Sequence, residues 1–216
     1  MLTREQFLPH EMRIVAALRM RGASDEQVIV RVKSENLFQY PTERMVANRA
    51  TVCLRRLDAM VPTDAVCAAR GIDPKTAVEA ASSLTRLMAS GAPTQADQAI
   101  FYSMICRYDI VRELVLVEVG ERLQNFDYAF TAVDLNAFMT RFTTEYPDAA
   151  RWTEATVKRI KGSLRQTLRH AGLIGEGLGP ESERLSPLFL DSDVERALVQ
   201  LGEQSLIAAL TGRVVM

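Results

Sequence analysis

The sequence predicts a mainly α fold: a helical bundle with an N-terminal helix-turn-helix-like unit and a C-terminal winged-helix-like unit carrying a small β-hairpin. Three observations predict it. Apolar residues recur at steps of three and four through most of the 216 residues, which puts them on one face of successive helices. Capping side chains mark helix starts, and Gly or Pro marks their ends. From residue 132 the order reads helix, helix, strand, turn, strand, helix, which is a winged helix followed by one extra helix.

The first helix covers 11–20, with Met12, Val15, Ala16 and Met20 on one side. Gly22 suits a left-handed residue beyond its end, and Ser24 with Gln27 forms a capping box for a second helix. Two helices joined by a short Gly-containing turn make a helix-turn-helix pattern, though any αα-hairpin gives the same one. Tyr40-Pro41 breaks the chain, Thr42 caps a third helix through Met45, Val46, Val52, Cys53 and Leu57, and Pro62 closes the N-terminal unit, 1–62. The central helical core, 63–131, holds helices over 63–69 and 75–90 and then the longest helical stretch, 94–124. The C-terminal unit, 132–216, opens with a helix over 132–146 that has Asp134 near its start.

Residues 152–174, WTEATVKRIKGSLRQTLRHAGLI, are the most informative. Thr153 is a cap, and Trp152 with Val157 is placed for a hydrophobic staple. Val157, Ile160, Leu164 and Leu168 form an apolar seam. Beside it Lys158, Lys161, Arg165 and Arg169 fall within an arc of roughly 80° at about 100° per residue, with Arg159 adding a fifth cation. A helix held to a core on one side and cationic on the next is built to meet phosphates; most such faces are merely solvated. Gly175, Gly177, Gly179 and Pro180 then turn between Leu173–Ile174 and Leu188–Leu190, the strands of the wing. A final helix runs from Asp191 through Leu198, Leu201, Leu206 and Leu210.

Net charge is -1, but its distribution is uneven. Residues 1–62 hold ten Lys/Arg against seven Asp/Glu, 63–150 seven against twelve, 151–170 six against one, and 171–216 three against seven. Local patches of this kind steer a polyanion more than the total does. In the N-terminal unit Arg13, Arg19, Arg21, Arg31, Lys33, Arg44, Arg49, Arg55 and Arg56 have few aromatic neighbours, which favours duplex phosphates over stacking on unpaired bases. Arg19, Arg31 and Lys33 join the cations of 158–169 as candidate DNA contacts.

Enzymatic constellations are missing from the pattern. His10 and His170 stand at no metal-ligand spacing, and Cys53, Cys67 and Cys106 show no CxxC pair. The Gly-rich turn follows a helix and precedes a strand, unlike a P-loop or a dinucleotide fingerprint. No catalytic centre, metal, cofactor or small-molecule substrate is expected. The charged start is unlike a signal peptide, and Ile110–Val119 is interrupted by Arg112, Glu113 and Glu118, short of the about 20 apolar residues that span a bilayer. A cytoplasmic protein with free thiols and no membrane partner is expected.

The blocks MRIVAALRMRGASDEQVIVRVKSENLFQ, RATVCLRRL, DQAIFYSMICRYDIVRELVLVEVGERL, residues 152–174 and LSPLFLD closely resemble BrxA proteins of bacterial BREX (bacteriophage exclusion) systems. The likeness runs from about Met12 to Leu210, and departs at Tyr40-Pro41, where the family carries a short polar or basic turn. The resemblance implies a small, all-helical, NusB-like accessory protein that binds double-stranded DNA in phage defence. Other BREX subunits, a methyltransferase and an ATPase, are its implied companions. Two functions are therefore expected: a non-enzymatic DNA-binding component, or an adaptor that docks other defence subunits without touching DNA.

Overall fold

Side-chain caps set where the helices begin. In the computed structural model, which describes residues 6–175 and 183–213, Ser24 Oγ accepts from the Gln27 amide at 3.3 Å, and Gln27 Oε1 accepts from the Ser24 amide at 2.9 Å. Thr42 caps through the Met45 amide at 3.3 Å, Asp73 through Thr76 at 2.8 Å and Thr153 through Thr156 at 3.2 Å. Each such cap contributes about 1 kcal/mol. The helices are α1 (Pro9–Met20), α2 (Asp25–Ser34), α3 (Glu43–Ala59), α4 (Asp64–Arg70), α5 (Pro74–Ser90) and α6 (Pro93–Arg107). Then come α7 (Asp109–Glu113), a π-helical segment (Leu114–Val119), α8 (Gly120–Gln124), α9 (Ala132–Glu145), a 3-10 turn (Ala149–Arg151), α10 (Glu154–His170), α11 (Ser192–Gln200) and α12 (Gln204–Thr211). The fold is mainly α, as the periodicity predicts.

These helices gather into two compact units. One takes Phe7–Arg107 and Leu190–Glu203. Within it α1 packs on α5, α3 and α6, α2 packs on α3, and α11 returns to α5 and α6. Met12, Val15, Leu54, Leu84, Ile100, Met104 and Leu198 are buried there. The other takes Met1–Gln6, Tyr108–Phe189 and Gln204–Met216. Within it α12 lies on the π-helical segment and α8, and α9 packs on α10. This division differs from the three segments 1–62, 63–131 and 132–216. The segments before and after Pro62 share one core, because α1 and α3 bury their apolar faces against α5 and α6.

Two further differences have local causes. The predicted stretch 94–124 is broken at Tyr108, whose backbone is extended (φ -125, ψ 108) and begins the second unit. The predicted final helix is broken at Gly202, whose φ of +69° is left-handed, a conformation glycine adopts without a Cβ clash. A Cβ there would also stand 3.1 Å from Arg70 Cβ.

The wing strands differ too. Among the described residues, β pairing is confined to two isolated antiparallel bridges, Ile174 with Leu185 and Ala129 with Arg184. Leu188, expected to pair with Leu173–Ile174, donates its amide instead to the Leu210 carbonyl at 2.8 Å. Of the predicted turn, Gly177, Gly179 and Pro180 lie outside the described residues.

On α10, Ile160, Leu164, Thr167 and Leu168 are buried and Val157 is half-buried. Just ahead of it Trp152 stacks on Phe142 of α9 with 6.0 Å between ring centroids, and Phe142 stacks on Tyr146 at 4.1 Å. Leu164→Ala should therefore cost about 2–5 kcal/mol in denaturant unfolding through the cavity it leaves. A second check lies at Gly120, where an added Cβ would sit 2.8 Å from Ala209 Cβ. Gly120→Ala should lower the melting temperature, and Ala209→Gly in the same chain should relieve part of that loss, leaving the double variant more stable than the two single effects sum to.

Candidate nucleic-acid interface

The start of α9 orients one cation of α10. Thr131 caps α9 in a reciprocal box with Asp134: the Thr131 amide donates to Asp134 Oδ2 at 2.6 Å. The Asp134 carboxylate also meets Arg122 Nη2 at 2.7 Å. The same guanidinium reaches Asp127 at 2.6 Å and the Ala129 carbonyl at 2.8 Å. Two residues on from Asp134, Asn136 Oδ1 accepts from Lys161 Nζ at 2.6 Å. α9 is thus pinned at its start and hands one of the α10 lysines a neutral partner.

The five candidate cations of α10 fall into three states. Lys158 and Arg159 are exposed, and neither forms an ion pair among the described residues. Lys161 is half-buried and oriented by the Asn136 amide. Arg165 and Arg169 converge on Glu183, whose side chain is only 1% exposed: Arg165 Nε lies 2.9 Å from Oε2, and Arg169 Nη2 contacts Oε1. A buried carboxylate needs such cations beside it. The cationic line is therefore continuous in sequence but partly neutralised in space.

The N-terminal candidates are each compensated. Arg19 bridges Asp25 at 2.8 Å and Asp58 at 2.7 Å, Arg31 meets Glu35 at 3.1 Å, and Lys33 meets Glu43 at 3.2 Å. Exposed pairs of this kind contribute about 0–1 kcal/mol each, so they tie α1, α2 and α3 only loosely. Arg44 and Arg55, which the segment count groups with the rest, are exposed on α3 with no ion pair among the described residues. The clearest residue missed by the sequence is Glu183. It lies 14 positions from Arg169, beyond any helical spacing that would reveal a pair.

Among the described residues no group of three or more His, Cys, Asp or Glu is placed to hold a metal ion, and no helix is long and apolar enough to cross a membrane.

Asp134 gives this region a pH signature. Burial raises its pKa, but the Thr131 amide and hydroxyl and the Arg122 guanidinium outweigh it, and the net shift is downward from 3.8. Its contribution to stability is present in full above that ordinary value and is lost as pH falls through the lower folded-state value. Asp134→Asn should be less stable than the parent by about 1 kcal/mol at pH 7, the worth of a helix-start interaction. The gap should close in urea titrations run progressively below pH 3.8.

Known proteins resemble this chain in sequence and in fold. A family model described as BrxA matches residues 1–202. A curated relative, "BREX protein BrxA" of Escherichia coli O9:H4 (strain HS), is 21% identical over 127 residues. That match covers 59% of this chain and 58% of the relative, somewhat over half the length of each. A crystal structure of an uncharacterized protein from Magnetospirillum magneticum superposes with a TM-score of 0.75 at 16% identity, covering 98% of this chain and 97% of that one. This second likeness is one of fold.

Proposed function

The chain belongs to the BrxA family, and on that premise we propose that it is a non-enzymatic component of BREX phage defence that binds double-stranded DNA through α10. One observation carries the reading: Lys158 and Arg159 stand exposed and without an ion pair among the described residues, beside a seam that holds their helix to the core. Phosphates need only such cations, and the affinity gained is sequence-independent and salt-sensitive. The order of α9 and α10, followed by a bridge between Ile174 and Leu185, supports reading α10 as the exposed helix of a winged-helix-like unit. The predicted wing tip itself lies outside the described residues.

A second reading, docking of another BREX subunit such as the methyltransferase or the ATPase, draws on a different surface. Phe126 and Val133 are 76% and 73% exposed. They are chain neighbours of Asp127 and Asp134, the two carboxylates held by Arg122. Phe126 also has a left-handed φ of 57°, which costs a bulky residue strain. Phe126→Ser should leave duplex binding unchanged and weaken copurification with the cognate subunit that uses this surface.

Duplex binding should show a log K against log[salt] slope of about -4 if about four phosphates are neutralised. Lys158→Ala with Arg159→Ala should flatten that slope by about two units and weaken unrelated duplexes alike. Fluorescence anisotropy across a salt series measures both. A folded double variant with unchanged affinity and slope would remove α10 from the interface.

A further inference from the structure

We propose that the outward line of α3, formed by Arg44, Asn48, Thr51 and Arg55, is a second duplex-binding surface, and that it reads base edges in the major groove. It rests on the DNA-binding reading of α10 for its class of ligand, but on separate residues in the other compact unit.

The four positions follow at steps of four, three and four, so they share an arc of about 60° on the helix. The opposite side, Val46, Ala50, Cys53, Leu54 and Leu57, is buried. The line therefore faces away from the core. Arg44, Asn48 and Arg55 are exposed, and none has a hydrogen bond or ion pair from its side chain among the described residues. Thr51 is half-buried and donates its hydroxyl to the Ala47 carbonyl at 2.9 Å.

Charge on α3 points the same way. Its two carboxylates, Glu43 and Asp58, are taken by Lys33 of α2 and Arg19 of α1. Neither is engaged with Arg44 or Arg55. The residue between the arginines is also telling. Asn is a poorer helix former than Ala by about 0.6 kcal/mol, and Asn48 recovers none of this through a side-chain hydrogen bond among the described residues. An amide at this position can donate to a phosphate oxygen, and it also offers the paired donor and acceptor that an adenine edge takes.

The side-chain set fits base recognition. Arg donates two parallel bonds to guanine O6 and N7, Asn pairs two-point with adenine N6 and N7, and a Thr methyl packs on the thymine methyl. From Arg44 to Arg55 the helix rises about 16 Å, and a major groove about 12 Å wide admits a helix of this kind. On α10 the cations without an ion pair among the described residues, Lys158 and Arg159, are consecutive and point about 100° apart, so they do not form a line of this kind.

The test is selection of the full-length protein on a randomised duplex pool, followed by affinity measurements on a selected and a scrambled duplex. The unaltered chain should prefer duplexes with guanine and adenine at fixed separation. Arg44→Ala with Asn48→Ala and Arg55→Ala should weaken the selected duplex at least about ten-fold, at the low end of what a bidentate contact gives, and make selected and scrambled duplexes equal. Arg44→Lys with Arg55→Lys keeps the charge and should still lose the preference. Lys158→Ala with Arg159→Ala should weaken both duplexes alike and keep it. If the α3 triple variant, folded by circular dichroism, retains both affinity and preference while the α10 variant loses binding, the α3 surface is overturned and α10 stands. Equal weakening of all duplexes by the α3 variant, with preference retained or never present, also overturns base reading. An unaltered chain that binds no duplex at low salt overturns both surfaces.

Discussion

Two carboxylates taken out of water organise the C-terminal part of this chain. Glu183 has a side chain 1% exposed between Arg165 and Arg169. Glu203, 3% exposed, lies 2.8 Å from Arg70 Nη1 and accepts from the Tyr102 hydroxyl at 3.3 Å. An unpartnered buried carboxylate costs several kcal/mol, so each segment carrying one settles only where cations wait. In one unit this ties the chain at residue 183 to α10. In the other it ties the end of α11 to α4, where Arg70 donates also to the Leu201 carbonyl at 2.9 Å. Burial, with Cys106 and Glu203 nearby, pushes the Tyr102 hydroxyl well above its ordinary pKa and keeps it a donor.

This requirement decides which cations are left for a partner. The chain has 26 Lys and Arg against 27 Asp and Glu, so a count of basic residues says little about a polyanion surface. What a phosphate meets within a Debye length of about 8–10 Å is the local balance. Arg19, Arg31 and Lys33 each present a cation with a carboxylate within 3.2 Å. Such exposed pairs add little to stability, yet they cancel much of the local field. Lys158 and Arg159 on α10, and Arg44 and Arg55 on α3, present charge without that cancellation among the described residues.

The helices were legible because their signals are local. Ser24 and Gln27, or Thr153 and Thr156, meet within three residues, and the α10 seam is a repeat at helical spacing. The position of the break at Tyr108 was not legible, although a stretch as long as 94–124 allows an interruption: apolar periodicity runs through it, and no Gly or Pro marks it. At Gly202 a signal existed, but Leu198, Leu201 and Leu206 keep a helical rhythm across it. Neutralisation was legible only where pairing is local. Arg31 with Glu35 is an i,i+4 pair visible in the sequence. Lys33 with Glu43, Arg19 with Asp58 and Arg169 with Glu183 need the tertiary fold. That is why the candidate residues could be named while their availability could not.

Orientation and neutralisation are separable, and α10 shows both. Arg165 and Arg169 are held by a carboxylate, so fixing their geometry subtracts charge from the surface. Lys161 is held by the Asn136 amide, which directs the ammonium and subtracts nothing. The Asn136 side chain is in turn placed by the capped start of α9, which Arg122 anchors through Asp134. Arg122 spends its own charge on Glu118, Asp127 and Asp134, so it acts in this region only as a fastener. The anchored start of α9 thus carries the amide that orients Lys161, whose charge no carboxylate cancels among the described residues. Replacing Asn136 by an acidic residue would keep the geometry and remove the charge, which separates the two roles in a single position.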